Sequence, residues 1–202
     1  MRVKTDDRRA AILEAAVEVF REVGYERASM AAISARVGGS KATLYGYYKS
    51  KEELFAAAMM GVMEEQAAAT IALLDPSEPD VGLALCRFGK AVMELLSTPD
   101  VVSIIRTAIA EGANSTLGAT LFSCGPERGL NAITDYLAQL QEKGLIRPCD
   151  PRVAAVHFKG LLDAGTFEPR LFGAPPCVDP KIAVASAVEV FLRAYGAEPR
   201  KP

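Results

Sequence analysis

The sequence predicts an all-α fold, on three observations. No segment alternates apolar and polar residues with β-branched enrichment, as a half-buried strand does. Apolar residues recur instead at helical spacing, and successive segments open on a capping residue or a first-turn proline and close on glycine. All twelve prolines lie at or beyond Pro76, so residues 6–75 can be helical with glycines as the only breaks. About nine helices are expected, and no sheet.

The elements follow in order. Thr5 or Asp6 caps a first helix whose apolar residues Ile12, Ala16, Val19, Phe20 and Val23 share a face, and Gly24 ends it in a left-handed conformation. Ser29 caps a short helix from Met30 to Arg36 or Val37, with Ile33 and Val37 inward. Gly38-Gly39 makes a turn, and Ser40 caps a second short helix through about Tyr45–Tyr47. Ser50-Lys-Glu-Glu53 is a capping box that opens a long helix to about Leu74. Beyond the loop Asp75-Pro-Ser-Glu-Pro79, the pairs Thr98-Pro99, Gly125-Pro126, Asp150-Pro151 and Asp179-Pro180 start further helices. These fall near 80–97, 99–111, 126–143, 151–168 and 180–195, with a weaker one near 115–123. Pro169 is expected to end or kink the 151–168 helix.

At 202 residues, half of them apolar, the chain can bury a core in one domain or two small ones. No apolar run reaches membrane-spanning length, and the segment from Met1 to Arg9 is too polar for a secretory signal. A cytoplasmic protein with no membrane partner is expected. Cys86, Cys124, Cys149 and Cys177 show no CxxC spacing and His157 is the sole histidine, so neither a metal site, a cofactor nor a disulfide framework is expected. The thiols read as buried small hydrophobes. The net charge of −2 hides an asymmetry: residues 1–52 carry ten Lys/Arg against seven Asp/Glu, the remainder 13 against 18. A basic N-terminal third suits a localised anionic partner.

Residues 38–55 concentrate hydrogen-bond donors around a turn. A helix-turn-helix needs two short helices, a tight turn, and a second helix whose N-terminal residues enter the major groove. Residues 29–37, Gly38-Gly39 and the helix from Ser40 meet that description. Ser40, Ala42 and Gly46 keep the second helix slim. Lys41 can bond guanine O6/N7 or a phosphate, and Thr43 a base edge or a thymine methyl. Ser29 with the helix behind it suits a backbone phosphate, and Lys51 suits another. Tyr45, Tyr47 and Lys49 can serve as phosphate clamps, or the tyrosines as core and the lysine as solvated charge. Leu44, Tyr48, Leu54 and Phe55 read as core.

Over residues 6–66 the chain resembles the TetR family of bacterial transcriptional regulators. The resemblance runs through Ile12-Leu-Glu-Ala-Ala-Val-Glu-Val-Phe20, Gly24-Tyr25, Ser29-Met-Ala-Ala-Ile33 and Ser40-Lys-Ala-Thr-Leu-Tyr-Gly-Tyr-Tyr-Lys-Ser-Lys-Glu-Glu-Leu-Phe55. It implies that Ser40, Lys41, Ala42 and Thr43 face bases while Tyr45, Tyr47 and Lys51 contact phosphates. Two departures stand out. Gly39 sits where the family often has an apolar turn residue. Gly46 sits where a larger polar residue, often His, is common, so a contact is absent there and the helix is expected to end early.

The resemblance divides the chain into a helix-turn-helix DNA-binding domain, 1–50, and a helical effector-binding and dimerisation domain, 51–202. Gly125-Pro-Glu-Arg-Gly129, Gly144-Leu-Ile-Arg147 with Asp150-Pro151, and Phe191-Leu-Arg-Ala-Tyr195 resemble an AcrR/AefR-like subgroup. The helices near 151–168 and 180–195 are apolar on several faces and rich in small residues, which suits homodimer packing or a monomer core. Met63, Phe88, Arg106, Phe122, His157 and Leu161 are candidates to line a small-molecule site, or are ordinary core and surface. His157 can equally be a satisfied core or interface histidine. Arg106 can pair an acidic effector, Glu111 or Glu94. The expected function is a dimeric repressor of double-stranded operator DNA, released by a small molecule. An activator of the same fold is the alternative. A helical binding protein or enzyme is the reading from another class, and no catalytic signature supports it.

Overall fold

The computed structural model describes residues 2–113 and 115–197, with side chains from Asp6 onward. The described chain is helical: α1 (Arg2–Arg27), α2 (Met30–Val37), α3 (Lys41–Tyr47), α4 (Lys51–Ile71), α5 (Val81–Leu96), α6 (Pro99–Glu111), α7 (Leu117–Phe122), α8 (Arg128–Glu142), α9 (Pro151–Asp163), α10 (Glu168–Leu171) and α11 (Pro180–Tyr195). The all-α expectation holds. Among the described residues, extended pairing is an isolated bridge between Ile146 and Gly196. The chain forms two compact units, Met1–Glu64 with Thr107–Cys124, and Glu65–Arg106 with Gly125–Pro202.

In the first unit, α1 carries the expected face: Ile12, Ala16, Val19 and Phe20 are all buried. Its start differs from expectation. The backbone is already helical at Arg2, so neither Thr5 nor Asp6 caps it, and the side chain of Thr5 lies outside the described residues. Gly24 interrupts the helix with φ 78° and ψ 166°, a conformation open essentially to glycine alone. The break turns Tyr25 inward, where its ring meets Phe20 at 6.1 Å and Phe55 at 4.9 Å, and Phe20 meets Phe55 at 4.8 Å. Each such buried ring contributes on the order of 1.5–3 kcal/mol by leaving water, so this cluster anchors α1 to α4. Ser50 caps α4 by accepting from the Glu53 N–H at 3.1 Å. The Glu53 carboxylate reaches back to the N–H of Lys49 at 2.7 Å, one residue beyond the usual capping-box partner. The helix ends at Ile71 rather than Leu74.

In the second unit, α8 packs on α9, and α11 packs on both α5 and α9. Leu85, Phe88, Leu137, Phe158 and Phe191 lie at its centre, each nearly or fully shielded from solvent. A Cβ on Gly89 would come within 2.9 Å of Val184 and 3.0 Å of Leu162, so the missing side chain lets α5 approach α11 and α9.

Three boundaries correct the sequence reading. Helix α9 stops at Asp163, and the chain turns at Gly165 with φ +69°. Pro169 then sits in the first turn of the separate helix α10, so it starts a helix instead of ending one. Gly125-Pro126 does not break the chain: Ser123–Glu127 form a π-helical turn running from α7 into α8. A wider turn accommodates a proline that has no N–H to give. Two thiols also differ from expectation, because Cys124 and Cys177 are exposed while Cys86 and Cys149 are half-buried.

Candidate nucleic-acid interface

The turn between α2 and α3 is fixed by its own backbone. Gly38 is left-handed at φ 69° and ψ 44°, and its N–H donates to the Ala35 carbonyl at 3.2 Å. The Gly39 N–H donates to the Ser34 carbonyl at 3.1 Å, which completes a C-terminal cap on α2. The buried Ser34 hydroxyl donates to the Gly39 carbonyl at 2.8 Å. Three hydrogen bonds thus determine where α3 begins.

Ser40 leads α3 from extended backbone. Its Oγ accepts from the Thr43 N–H at 3.1 Å and lies 3.0 Å from the Thr43 hydroxyl. Lys41, Ala42 and Thr43 are exposed, whereas Leu44 and Tyr48 are buried. The first turn of α3 therefore presents its side chains to solvent from a helix anchored on the other face. Tyr45 is 50% exposed, which removes the core reading for it, and Tyr47 is half-buried. Lys49 and Ser29 are exposed, with the Ser29 Oγ accepting from the Ala32 N–H at 3.2 Å as the cap of α2. Gly46 does not end the helix early. α3 runs through to Tyr47, and a Cβ at Gly46 would meet nothing within 4 Å.

Lys51 is more engaged than a free clamp. Its ammonium donates to the Tyr25 carbonyl at 3.0 Å and the Glu26 carbonyl at 3.4 Å. Three arginines escaped the sequence reading. Arg36 forks onto Glu22 at 2.7 Å and Glu18 at 3.1 Å, tying α2 to α1, and its guanidinium holds the Glu22 carboxyl below the usual carboxylate range. Arg9 donates to the Tyr48 hydroxyl at 3.2 Å. Arg8 reaches the turn, its Nη1 donating to the Val37 carbonyl at 3.4 Å. The signal available for Arg8 was its place four residues before Ile12, on the inward face of α1.

The six effector candidates are divided between the two units. Met63 is half-buried and Phe122 is 55% exposed, both in the first unit. In the second unit Phe88 is core, stacked on Phe158 at 6.5 Å, and Leu161 packs against the same core. Arg106 donates to the carbonyls of Arg170 at 2.8 Å and Leu171 at 2.9 Å, so the negative end of α10 stands where Glu94, Glu111 or an acidic effector was expected. His157 is exposed on α9, and its Nδ1 shares a hydrogen bond with the Tyr195 hydroxyl of α11. The histidine thus has a hydrogen-bond partner, but it is exposed and not a core residue.

Comparison with known proteins bears on this geometry. The model for bacterial regulatory proteins of the TetR family matches residues 12–58, the segment containing the helix-turn-helix. The model for the C-terminal domain of AefR-like transcriptional repressors matches residues 83–197, more than half of the chain. The chain belongs to the TetR family. It is a helix-turn-helix transcriptional regulator, and the resemblance read from residues 6–66 is borne out. It is similar to the HTH-type transcriptional regulator YhgD of Bacillus subtilis strain 168, 28% identical over 169 residues, spanning 80% of this chain and 84% of that one. Over 58 residues it is 45% identical to the transcriptional activator FasR of Mycolicibacterium smegmatis, spanning 29% of this chain and 26% of that one. In fold it is similar to a TetR-family regulator from Mesorhizobium loti, with a TM-score of 0.83 at 24% identity, covering 95% of this chain and 98% of that one. Among the described residues no helix is long and apolar enough to cross a membrane.

Proposed function

We propose that the protein is a dimeric repressor that reads a two-fold operator with α3 and is released from it by a small molecule. The observation that carries the reading is the first turn of α3. Lys41, Ala42 and Thr43 stand exposed on a helix whose opposite side, Leu44 and Tyr48, is buried. Ser40 to Thr43 face base edges, while Ser29, Tyr45, Tyr47 and Lys49 hold the phosphate backbone in register. Lys51 adds positive charge from behind while its ammonium secures α1. Residues 1–50 form the reading part and 51–202 the effector-binding and dimerising part. The protein works in the cytoplasm and performs no chemistry.

A dimer supplies two reading helices, which match two half-sites one helical turn apart. The exposed apolar residues Val153 and Val156 on α9, with Ile182 and Val190 on α11, support self-association through these helices. An effector bound among the C-terminal helices weakens operator binding only as far as it prefers the non-operator conformation. Its contacts are sought first at Met63 and Phe122, since Phe88 and Leu161 are committed to the core of the second unit and Arg106 and His157 already have partners there.

Repression is supported by the match of residues 83–197 to a repressor C-terminal domain. Activation is supported by the likeness of the reading segment to an activator. A reporter driven by the upstream region of the protein's own gene separates them. Repression predicts that expressing the protein lowers reporter output; a rise in output favours activation, and no change at a bound promoter contradicts both.

A further inference from the structure

The residue before a helix N-cap, when apolar, packs against the fourth residue of that helix and fixes the angle at which the chain enters. For α3 these positions are Gly39 and Leu44, and Gly39 has no side chain to offer. The space is taken from another helix. A Cβ on Gly39 would lie 2.4 Å from Nη2 of Arg8, while Nη1 of the same guanidinium donates to the Val37 carbonyl at 3.4 Å. Arg8, Val37, Gly39, Thr43 and Leu44 line one shallow notch.

We propose that Arg8 is a positioning residue for operator recognition: it replaces the missing staple and sets the angle at which α3 presents Lys41 and Thr43. This rests on the reading of α3 as the base-reading helix. The physical case is that one side chain does two things there. It lines the same notch as Leu44. Its charged head meets a carbonyl at the C-terminal end of α2, where the helix dipole favours a cation. Glycine at 39 is what makes room for it.

A four-protein cycle tests this: wild type, Arg8→Ala, Gly39→Val and the double variant. Gly39 has no positive φ, so its backbone accepts valine. Affinity for an operator duplex is measured over a salt series, and amide exchange of residues 40–44 is measured without DNA. Arg8→Ala alone is expected to weaken binding roughly tenfold, the scale of a contact pair's coupling. In the presence of Gly39→Val the loss is expected to fall to about twofold or less, because valine against Leu44 rebuilds the staple. The salt slope stays unchanged, and the residue 40–44 amides exchange faster in Arg8→Ala. Equal losses in both backgrounds, with the slope lowered by about one, would make Arg8 a phosphate contact and overturn the proposal. No loss in either background also overturns it. Lys41→Ala, run in parallel, separates the two readings. If it binds as wild type, the assignment of α3 fails, and the exchange arm alone then decides for Arg8. Unchanged exchange in Arg8→Ala rejects the positioning role, and faster exchange supports it.

Discussion

The ammonium of Lys51 lies 4.1 Å from the centre of the Tyr25 ring and donates to the Tyr25 carbonyl at 3.0 Å. The Tyr25 hydroxyl in turn donates to Glu52 at 3.2 Å. The first turn of α4 thus holds the end of α1 through both the ring face and the hydroxyl of one tyrosine. Lys51→Met is expected to cost about 1–2 kcal/mol of stability, the scale of a charged hydrogen bond with a cation–π contact. The salt slope of DNA binding is expected to stay at the wild-type value. Urea unfolding and a salt titration check the two halves. A slope smaller by about one would identify a direct phosphate contact instead.

Gly46 sits inside α3 with open space where a side chain would be. Gly46→Ala is expected to stabilise the protein by about 0.5–1 kcal/mol, because glycine is the more costly residue to order in a helix. Thermal unfolding measures this. The added methyl is small enough that operator affinity stays within about twofold if no base lies against that position.

Tyr136 is buried in the second unit, and its hydroxyl has no hydrogen-bond partner among the described residues. Burial, then the charges of Asp75 and Glu78, pushes its pKa up to about 12 from an ordinary 10. A raised folded-state pKa gives stability that is intact below pH 10 and lost as pH rises toward 12. Tyr136→Phe is expected to raise stability at neutral pH by about 1 kcal/mol by removing an unpaired buried hydroxyl. It is also expected to lessen the loss between neutral pH and pH 11 by about 1 kcal/mol, which urea unfolding at both pH values reads. Destabilisation at neutral pH would show that the hydroxyl is satisfied in solution.

Val156 and Ile182 are 49% and 64% exposed, on α9 and α11. Val156→Glu with Ile182→Glu is expected to give a folded monomer at micromolar concentration with weakened operator binding, because charge on an apolar contact face opposes association. Sedimentation and circular dichroism together check this. A dimer that survives both changes would move the interface elsewhere.

Much of the fold was legible because its signals are local. Ser29, Ser40, Asp150 and Asp179 cap the helices they were expected to cap, since a cap needs only three or four neighbouring residues. Leu44, Tyr48, Leu54 and Phe55 are buried as their spacing required. What stayed hidden depends on distant partners. Arg106 looked like half of an ion pair, and the carbonyls that hold it lie more than sixty positions away at Arg170 and Leu171. Arg8 looked like ordinary N-terminal charge, and only the folded turn shows that it stands where Gly39 has no side chain. Pro126 read as a break because a π-helical turn has no sequence signature as plain as a cap.

The central claim is that the exposed first turn of α3 reads the operator. Its most direct test is the affinity of wild type, Lys41→Ala and Thr43→Ala for duplexes from the upstream region of the protein's own gene, each against a scrambled duplex. Both variants are expected to fold as wild type and to lose about 1–3 kcal/mol of specific binding each, with binding to the scrambled duplex nearly unchanged for Thr43→Ala. Wild-type affinity and wild-type discrimination in both variants would contradict the account.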